Sequence, residues 1–265
     1  MPYSRDQAEQ MFARIQELRE HTDRLTDAYF GLPTRAEASR NYMTYGLLRR
    51  LLTLRLCMNR VFELLPPDET EPTRDTQLEA TIYLQAFVVN VSGVLDNLAR
   101  IWCLEIDLRE AGDRPIRHGH IGFGPGYHSV RASLPPAITN YLDERSGWFD
   151  YLKSYRDALA HRIPLYIPPN VLRPDDEADF NRLEQEKREA HQRRDFGRWH
   201  SALRQQRRLG AFEPLMAHSI GPDELDAPPY RFHAQMISDF GALLDIGDLV
   251  HVELLRRRGA ERPQN

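Results

Sequence analysis

Arg156 and His161 stand with four residues between them in Tyr155-Arg156-Asp157-Ala158-Leu159-Ala160-His161-Arg162-Ile163-Pro164, which reads as a helix end stopped by a proline. A guanidinium is a planar fork of N–H donors that clamps a phosphate. An imidazole moves a proton near neutral pH. The dipole at a helix C-terminus favours imidazolium, so His161 reads as a proton donor. On an ideal helix the two residues lie about 140° apart and about 7.5 Å along the axis. They do not share a face, and they converge only on a phosphate lying past the helix end.

The spacing alone carries little. Of the 35 basic residues only Lys153 and Lys187 are lysines, so chance pairs of Arg and His are frequent. Arg14/His21, Arg114/His120, Arg193/His200 and Arg194/His200 fit the same loose pattern. What separates Arg156/His161 is context. Trp148, Phe149, Leu152 and Leu159 give that helix an apolar face, Asp157 follows the arginine directly, and Arg162-Ile163-Pro164 follows the histidine.

The elements that must position these residues read as nearly all helix. Ala8, Met11, Phe12, Ile15 and Leu18 recur at helical spacing in a first helix from about Arg5 to Tyr29. Gly31-Leu32-Pro33-Thr34 ends it, and Thr34 with Glu37 predicts a capping box for the next helix. That second helix is so rich in leucine that it should be largely buried, and Pro66-Pro67 stops it. A third helix is expected from about Thr73 to Leu108, and a fourth from about Pro136 to His161, broken near Gly147. Prolines 164, 168 and 169 make Ile163 to Val171 extended. An irregular stretch follows over 210–229, then a last amphipathic helix from about Tyr230 to Arg258 and a polar tail. The division is one elaborated helical domain: an N-terminal hairpin over about 3–66, a core over about 73–168, a charged arm over about 174–209 and a C-terminal helix over about 230–258.

Composition limits the rest. The formal net charge is −4 and 28% of residues are charged, which argues against wholesale electrostatic capture of nucleic acid or an anionic membrane. The one long apolar stretch, Ala80 to Leu104, contains Asn90, Ser92, Asp96, Asn97 and Arg100, so it reads as a bundle helix rather than a membrane span. No apolar segment follows the N-terminal Met-Pro-Tyr-Ser, and a cytoplasmic protein is the expectation. Cys57 and Cys103 sit in apolar helical runs without zinc-like spacing and read as buried thiols. No metal and no cofactor are expected.

Two stretches stay open. The loop from Ala111 to Pro136 carries five glycines and the histidines His118, His120 and His128, but no Gly-Lys-Ser/Thr follows it and nothing fixes a metal geometry. Its length makes it a candidate lid or binding element. From Arg182 to Arg208, nine basic residues face four acidic ones. This is either a solvated helical arm or a local positive face for an RNA backbone. Phe196 and Trp199 there can stack on bases, although packing against the bundle is the simpler expectation.

The stretch Arg156-Asp157-…-His161 resembles the signature of the HEPN superfamily (higher eukaryotes and prokaryotes nucleotide-binding), an Arg followed by a polar residue and, a few residues on, a His. Val91-Ser92-Gly93-Val94-Leu95-Asp96-Asn97-Leu98-Ala99 is similar to the preceding core helix of prokaryotic members. The resemblance spans about 73–168. It implies an all-α antiparallel bundle of the HEPN type, here with extra long helices and a glycine-rich loop. It also implies a homodimer and a metal-independent endoribonuclease, a toxin or defence component that opens single-stranded RNA by attack of its own 2′-hydroxyl. Arg156 and His161 would be catalytic, with Asp157, Asp96 and Asn97 supporting them. Arg162, Arg193, Arg194 and Arg198 are candidates for the RNA backbone. Partners implied are RNA and an antitoxin or nucleotidyltransferase. The alternative is a non-catalytic HEPN-type module for binding RNA, nucleotides or protein. A purely structural reading makes Arg156 an ion-pair partner of Asp157 or Asp96 and His161 a helix cap. A metal-holding four-helix bundle is disfavoured, because no Glu-x-x-His recurs on two helices.

Overall fold

The computed structural model describes residues 2–218 and 228–261, so the irregular stretch and the polar tail fall partly outside them. Four long helices build the core. Helix α1 (Arg5–Phe30) starts at a capping box in which the Gln7 N–H donates to Ser4 Oγ and the Ser4 N–H donates to Gln7 Oε1. The chain then runs through α2 (Glu37–Asn41), a π-helical stretch (Tyr42–Leu48) and α3 (Arg49–Leu64) as one continuous rod. Ala36, not Thr34, is the N-cap of α2, without a side-chain bond. The capping box predicted at Thr34 is therefore absent. The backbone N–H of Arg35 instead donates to the buried carboxylate of Glu105 on the next helix.

Helix α4 (Arg74–Glu105) opens on Thr73, whose side chain accepts from the Thr76 N–H. By length and composition α4 could cross a membrane, but its apolar face is used by the bundle. Leu84, Phe87, Val91, Val94 and Trp102 are fully buried against Leu51, Leu54 and Met58 of α3 and Phe240, Leu243 and Leu244 of the C-terminal helix α10 (Phe232–Glu261). Deleting one such aromatic costs about 3–5 kcal/mol. Cys57 and Cys103 are buried and free.

The π-helical stretch marks a close crossing. A Cβ on Gly46 would lie 2.7 Å from Nδ2 of Asn97, so only glycine lets that rod approach α4 there. Two short elements, β1 (Arg109–Glu110) and β2 (Arg114–Pro115), form an antiparallel hairpin after α4, and a 3₁₀ turn (His118–His120) follows. Then come α5 (His128–Ser133), α6 (Pro136–Asp143) and α7 (Ser146–His161). The break between α6 and α7 falls just before Gly147.

Beyond α7 the chain is extended, with isolated bridges Tyr166–Ala217 and Val171–Ala211. The charged arm is a helical hairpin, α8 (Glu177–Gln192) on α9 (Phe196–Gln206), tied at its base by Asn170 Nδ2, which donates to the Arg207 and Leu209 carbonyls. Strands β3 (Leu215–Met216) and β4 (Tyr230–Arg231) pair and lead into α10.

Candidate functional site

Helix α7 is held from behind. Leu152, Tyr155 and Ala158 bury one face. Tyr155 Oη donates to the Met216 carbonyl at 3.1 Å, and the Trp148 indole N–H donates to Asp239 Oδ1 of α10 at 2.7 Å. The flank beside it, with Lys153 and Arg156, looks across at Ser92 and Asp96 of α4, as α7 packs on α4, and Leu152 lines the same space. Between them lies a cavity of about 590 Å³.

The glycine- and histidine-rich loop closes this cavity. Gly119, Gly122, Gly124 and Gly126 line it together with His120, Tyr127 and His128. Its fold is fixed at three points: Phe123 is buried, Arg131 Nη1 donates to the Phe123 carbonyl at 2.6 Å, and Trp102 Nε1 donates to Ser133 Oγ at 2.9 Å. Gly122 has no room for a side chain, since a Cβ would sit 2.5 Å from the Tyr127 ring. Phe149 of α7 supplies a second aromatic wall. The site thus sets the cations Lys153 and Arg156 and the imidazoles of His120 and His128 beside the carboxylates of Asp96 and Asp150 and the aromatic residues Phe123, Tyr127 and Phe149.

The charges are coupled. Loss of solvation pushes the Asp96 carboxyl above its ordinary range, while Arg156, Arg100 and Arg50 pull it down. Arg156 is exposed and pairs with its neighbour, Nη2 to Asp157 Oδ1 at 2.9 Å and Nε to the same oxygen at 3.2 Å. That pair is solvent-facing and contributes well under about 1 kcal/mol to stability, but it fixes the direction of the guanidinium.

Of the residues singled out in the sequence, Arg156 and Asp96 both line the cavity, and Asp157 holds Arg156. His161 is exposed at the C-terminal end of α7 and does not line the cavity. Asn97 lies elsewhere: it is buried beside Gly46 and lines a shallow groove with Arg50 and Asn90 on another side of α4. The step of about 100° between adjacent helical residues here turns Asn97 toward Gly46 and Asp96 toward the cavity. Arg162 turns back, its Nη2 donating to the Ser154 carbonyl at 3.0 Å. Arg193 and Arg194 are exposed where α8 passes into α9, and Arg198 pairs with Glu186 at 2.9 Å. Phe196 is 59% exposed and does not pack on the bundle, whereas Trp199 is half-buried. Among the described residues no cluster of His, Cys, Asp and Glu is arranged to hold a metal ion.

Sequence reasoning does not place the histidines of the loop. In the structure His118 Nδ1 accepts from Arg100 and is turned away into that contact. His120 lines the cavity, with Nδ1 at 2.7 Å from Glu110 Oε1. No protein-family model, curated protein or solved structure matches the chain.

Proposed function

We propose that the chain is a HEPN-type, metal-independent endoribonuclease that cleaves single-stranded RNA and acts as a homodimer. The observation that carries this reading is the presence of Arg156 from α7 and Asp96 from α4, 60 residues apart in sequence, in one cavity with Lys153, His120 and His128. In this reading a backbone phosphate binds at Arg156, whose donors stabilise the charge that builds as the phosphorus becomes five-coordinate. The 2′-hydroxyl of the preceding ribose attacks, the bond to the 5′-oxygen breaks, and the products are a 2′,3′-cyclic phosphate and a 5′-hydroxyl. His161 does not reach this cavity in its own chain, so in the proposed dimer the His161 that protonates the departing oxygen is the one carried by the second copy. Asp157 sets the direction of Arg156, and the guanidinium in turn favours the charged form of Asp96. A toxin or defence role in the cytoplasm, regulated by an antitoxin or nucleotidyltransferase, fits such an activity.

One observation favours a second reading, a non-catalytic module that binds RNA or nucleotides. His161 is outside the cavity, and the cavity has aromatic walls and cations sufficient for binding alone.

The test is cleavage of end-labelled single-stranded RNA by the purified protein in EDTA. Persistent cleavage with a cyclic-phosphate end, absent on the all-deoxy strand and lost in His161→Ala, is expected. Tight binding without cleavage would establish the second reading instead. Neither binding nor cleavage would dispose of both.

A further inference from the structure

Transesterification of RNA needs two proton transfers at opposite ends of an in-line displacement: one group takes the 2′-hydroxyl proton and another gives a proton to the 5′-oxygen. His161 supplies one. We propose that His120, oriented by Glu110, is the general base that takes the 2′-hydroxyl proton in the same chain's cavity. The inference rests on the endoribonuclease reading above and adds the group that reading lacks.

The imidazole is held at one ring nitrogen, its side chain 55% exposed. Glu110 Oε1 lies 2.7 Å from His120 Nδ1. A carboxylate only accepts, so Nδ1 carries the hydrogen and Nε2 is left with its lone pair. Glu110 is itself fixed. Its side chain is only 15% exposed, it accepts from the Arg117 N–H at 3.3 Å, and it pairs with Arg117 Nε at 3.5 Å. It stands on β1, opposite Arg114 of β2, and the turn between them uses Gly112 at φ 78° and Asp113 at φ 57°. The 3₁₀ turn then brings His120 back over the cavity, and Arg100 of α4 holds the first residue of that turn, His118. A carboxylate that fixes a tautomer and stands beside the imidazolium formed on proton uptake is the orienting half of a general-base pair.

The proton and bond balance closes without a further reactant. The O2′–P bond forms as the O2′ proton passes to His120 Nε2, and the P–O5′ bond breaks as O5′ takes a proton from the second copy's His161. The two histidines return to their starting states through water, and no metal or redox partner takes part. The groups sharing the cavity with His120 are Asp96 on α4, His128 on α5, and Asp150, Lys153 and Arg156 on α7, with Glu110 and Arg117 behind the ring. His128, Asp96, Asp150 and Glu110 are the other groups able to titrate in the acidic limb of the rate profile, so His128→Asn stands beside Asp96→Asn as a control.

The experiment is a pH–rate profile of RNA cleavage in EDTA for the wild type, His120→Ala, His120→Asn, His128→Asn and Asp96→Asn, with thermal melts of each; His128→Asn is expected to keep the acidic limb. Asparagine keeps an N–H for Glu110 but cannot carry the proton. The expected result is a bell for the wild type. His120→Ala and His120→Asn lower kcat by about 10²–10⁴-fold at similar KM and melting temperature, and lose the acidic limb, which Asp96→Asn keeps. Cleavage by His120→Asn within about threefold of wild type across the profile would overturn the assignment while leaving the nuclease reading intact. A wild type that releases no cyclic phosphate overturns that reading, and the role of His120 with it.

Discussion

The indole N–H of Trp148 donates to the buried carboxyl of Asp239 at 2.7 Å, and this bond joins the cavity helix α7 to the core helix α10. Gln235 Nε2 donates to the same oxygen at 2.7 Å, and Tyr151 Oη lies 3.4 Å from the other. Burial outweighs these donors and pushes the carboxyl up to about 7. The wall of the cavity thus rests on a group that changes charge near neutrality.

A stability dependence follows from Asp239. The folded protein holds this proton more tightly than the unfolded chain, whose carboxyl titrates near 3.8. The stabilisation from this group is then fully present below about pH 4, falls as pH rises toward 7, and is lost above. The whole fall attributable to it is at most about 4 kcal/mol. Urea denaturation at pH 5 and pH 8 should show a loss on going up, and Asp239→Asn should remove most of the difference. Equal stabilities at the two pH values would contradict the buried proton.

Arg156 predicts a loss of activity without a loss of stability. Arg156→Ala should lower kcat/KM on single-stranded RNA about 10²–10³-fold, because a donor to the developing charge is gone. Its pair with Asp157 is exposed, so the melting midpoint should stay nearly unchanged. Arg156→Lys should recover little, since an ammonium does not present the planar fork. A variant that melts early and is inactive would point to the purely structural ion pair.

How much of this the sequence reveals depends on range. Periodicity and proline stops are local, and they place α1, α3, α4, α7 and α10 closely. At the apparent cap at Thr34, the Arg35 N–H instead finds a distant partner in Glu105. The π-helical stretch passes α4 where Gly46 meets Asn97, about 50 residues on, a contact that no local pattern shows. At the site, Arg156 and Asp96 are recognisable from their flanks. Asn97 is separated from the cavity by its packing against Gly46, a contact between distant segments that the sequence does not reveal. The roles of His118 and His120 are hidden because a hairpin, not a helix, brings Glu110 and His120 together across ten residues. The Glu110-to-His120 spacing has no helical or strand meaning, so no pattern search would select it.

Gly210 predicts a backbone effect at the base of the arm. Its φ is +78°, and a Cβ there would lie 2.4 Å from the Val171 carbonyl oxygen. The left-handed conformation costs a side chain about 1–2 kcal/mol, and the clash with backbone adds to it. Gly210→Ala should destabilise by at least about 2 kcal/mol in chemical denaturation. Gly119→Ala, where nothing stands within 4 Å, is the matched control and should change stability by under about 0.5 kcal/mol.

The arginines of the arm are not equivalent, and salt dependence separates them. Arg198 is tied across the hairpin to Glu186, and its backbone N–H is taken by Asp195. Removing it loosens the arm more than it removes a free charge. Arg193 and Arg194 are exposed at the turn between α8 and α9, and among the described residues neither has an ion-pair partner. If single-stranded RNA runs over this surface, each arginine that neutralises a phosphate steepens the plot of log K against log salt by about 0.7. Arg193→Ala with Arg194→Ala should therefore reduce the slope by about 1.4 and weaken all sequences alike, whereas Arg198→Ala should leave the slope within about 0.3 of wild type. Anisotropy titrations between roughly 50 and 200 mM salt resolve such differences. An unchanged slope in the double variant would confine RNA binding to the Arg156 cavity and make the arm a solvated hairpin.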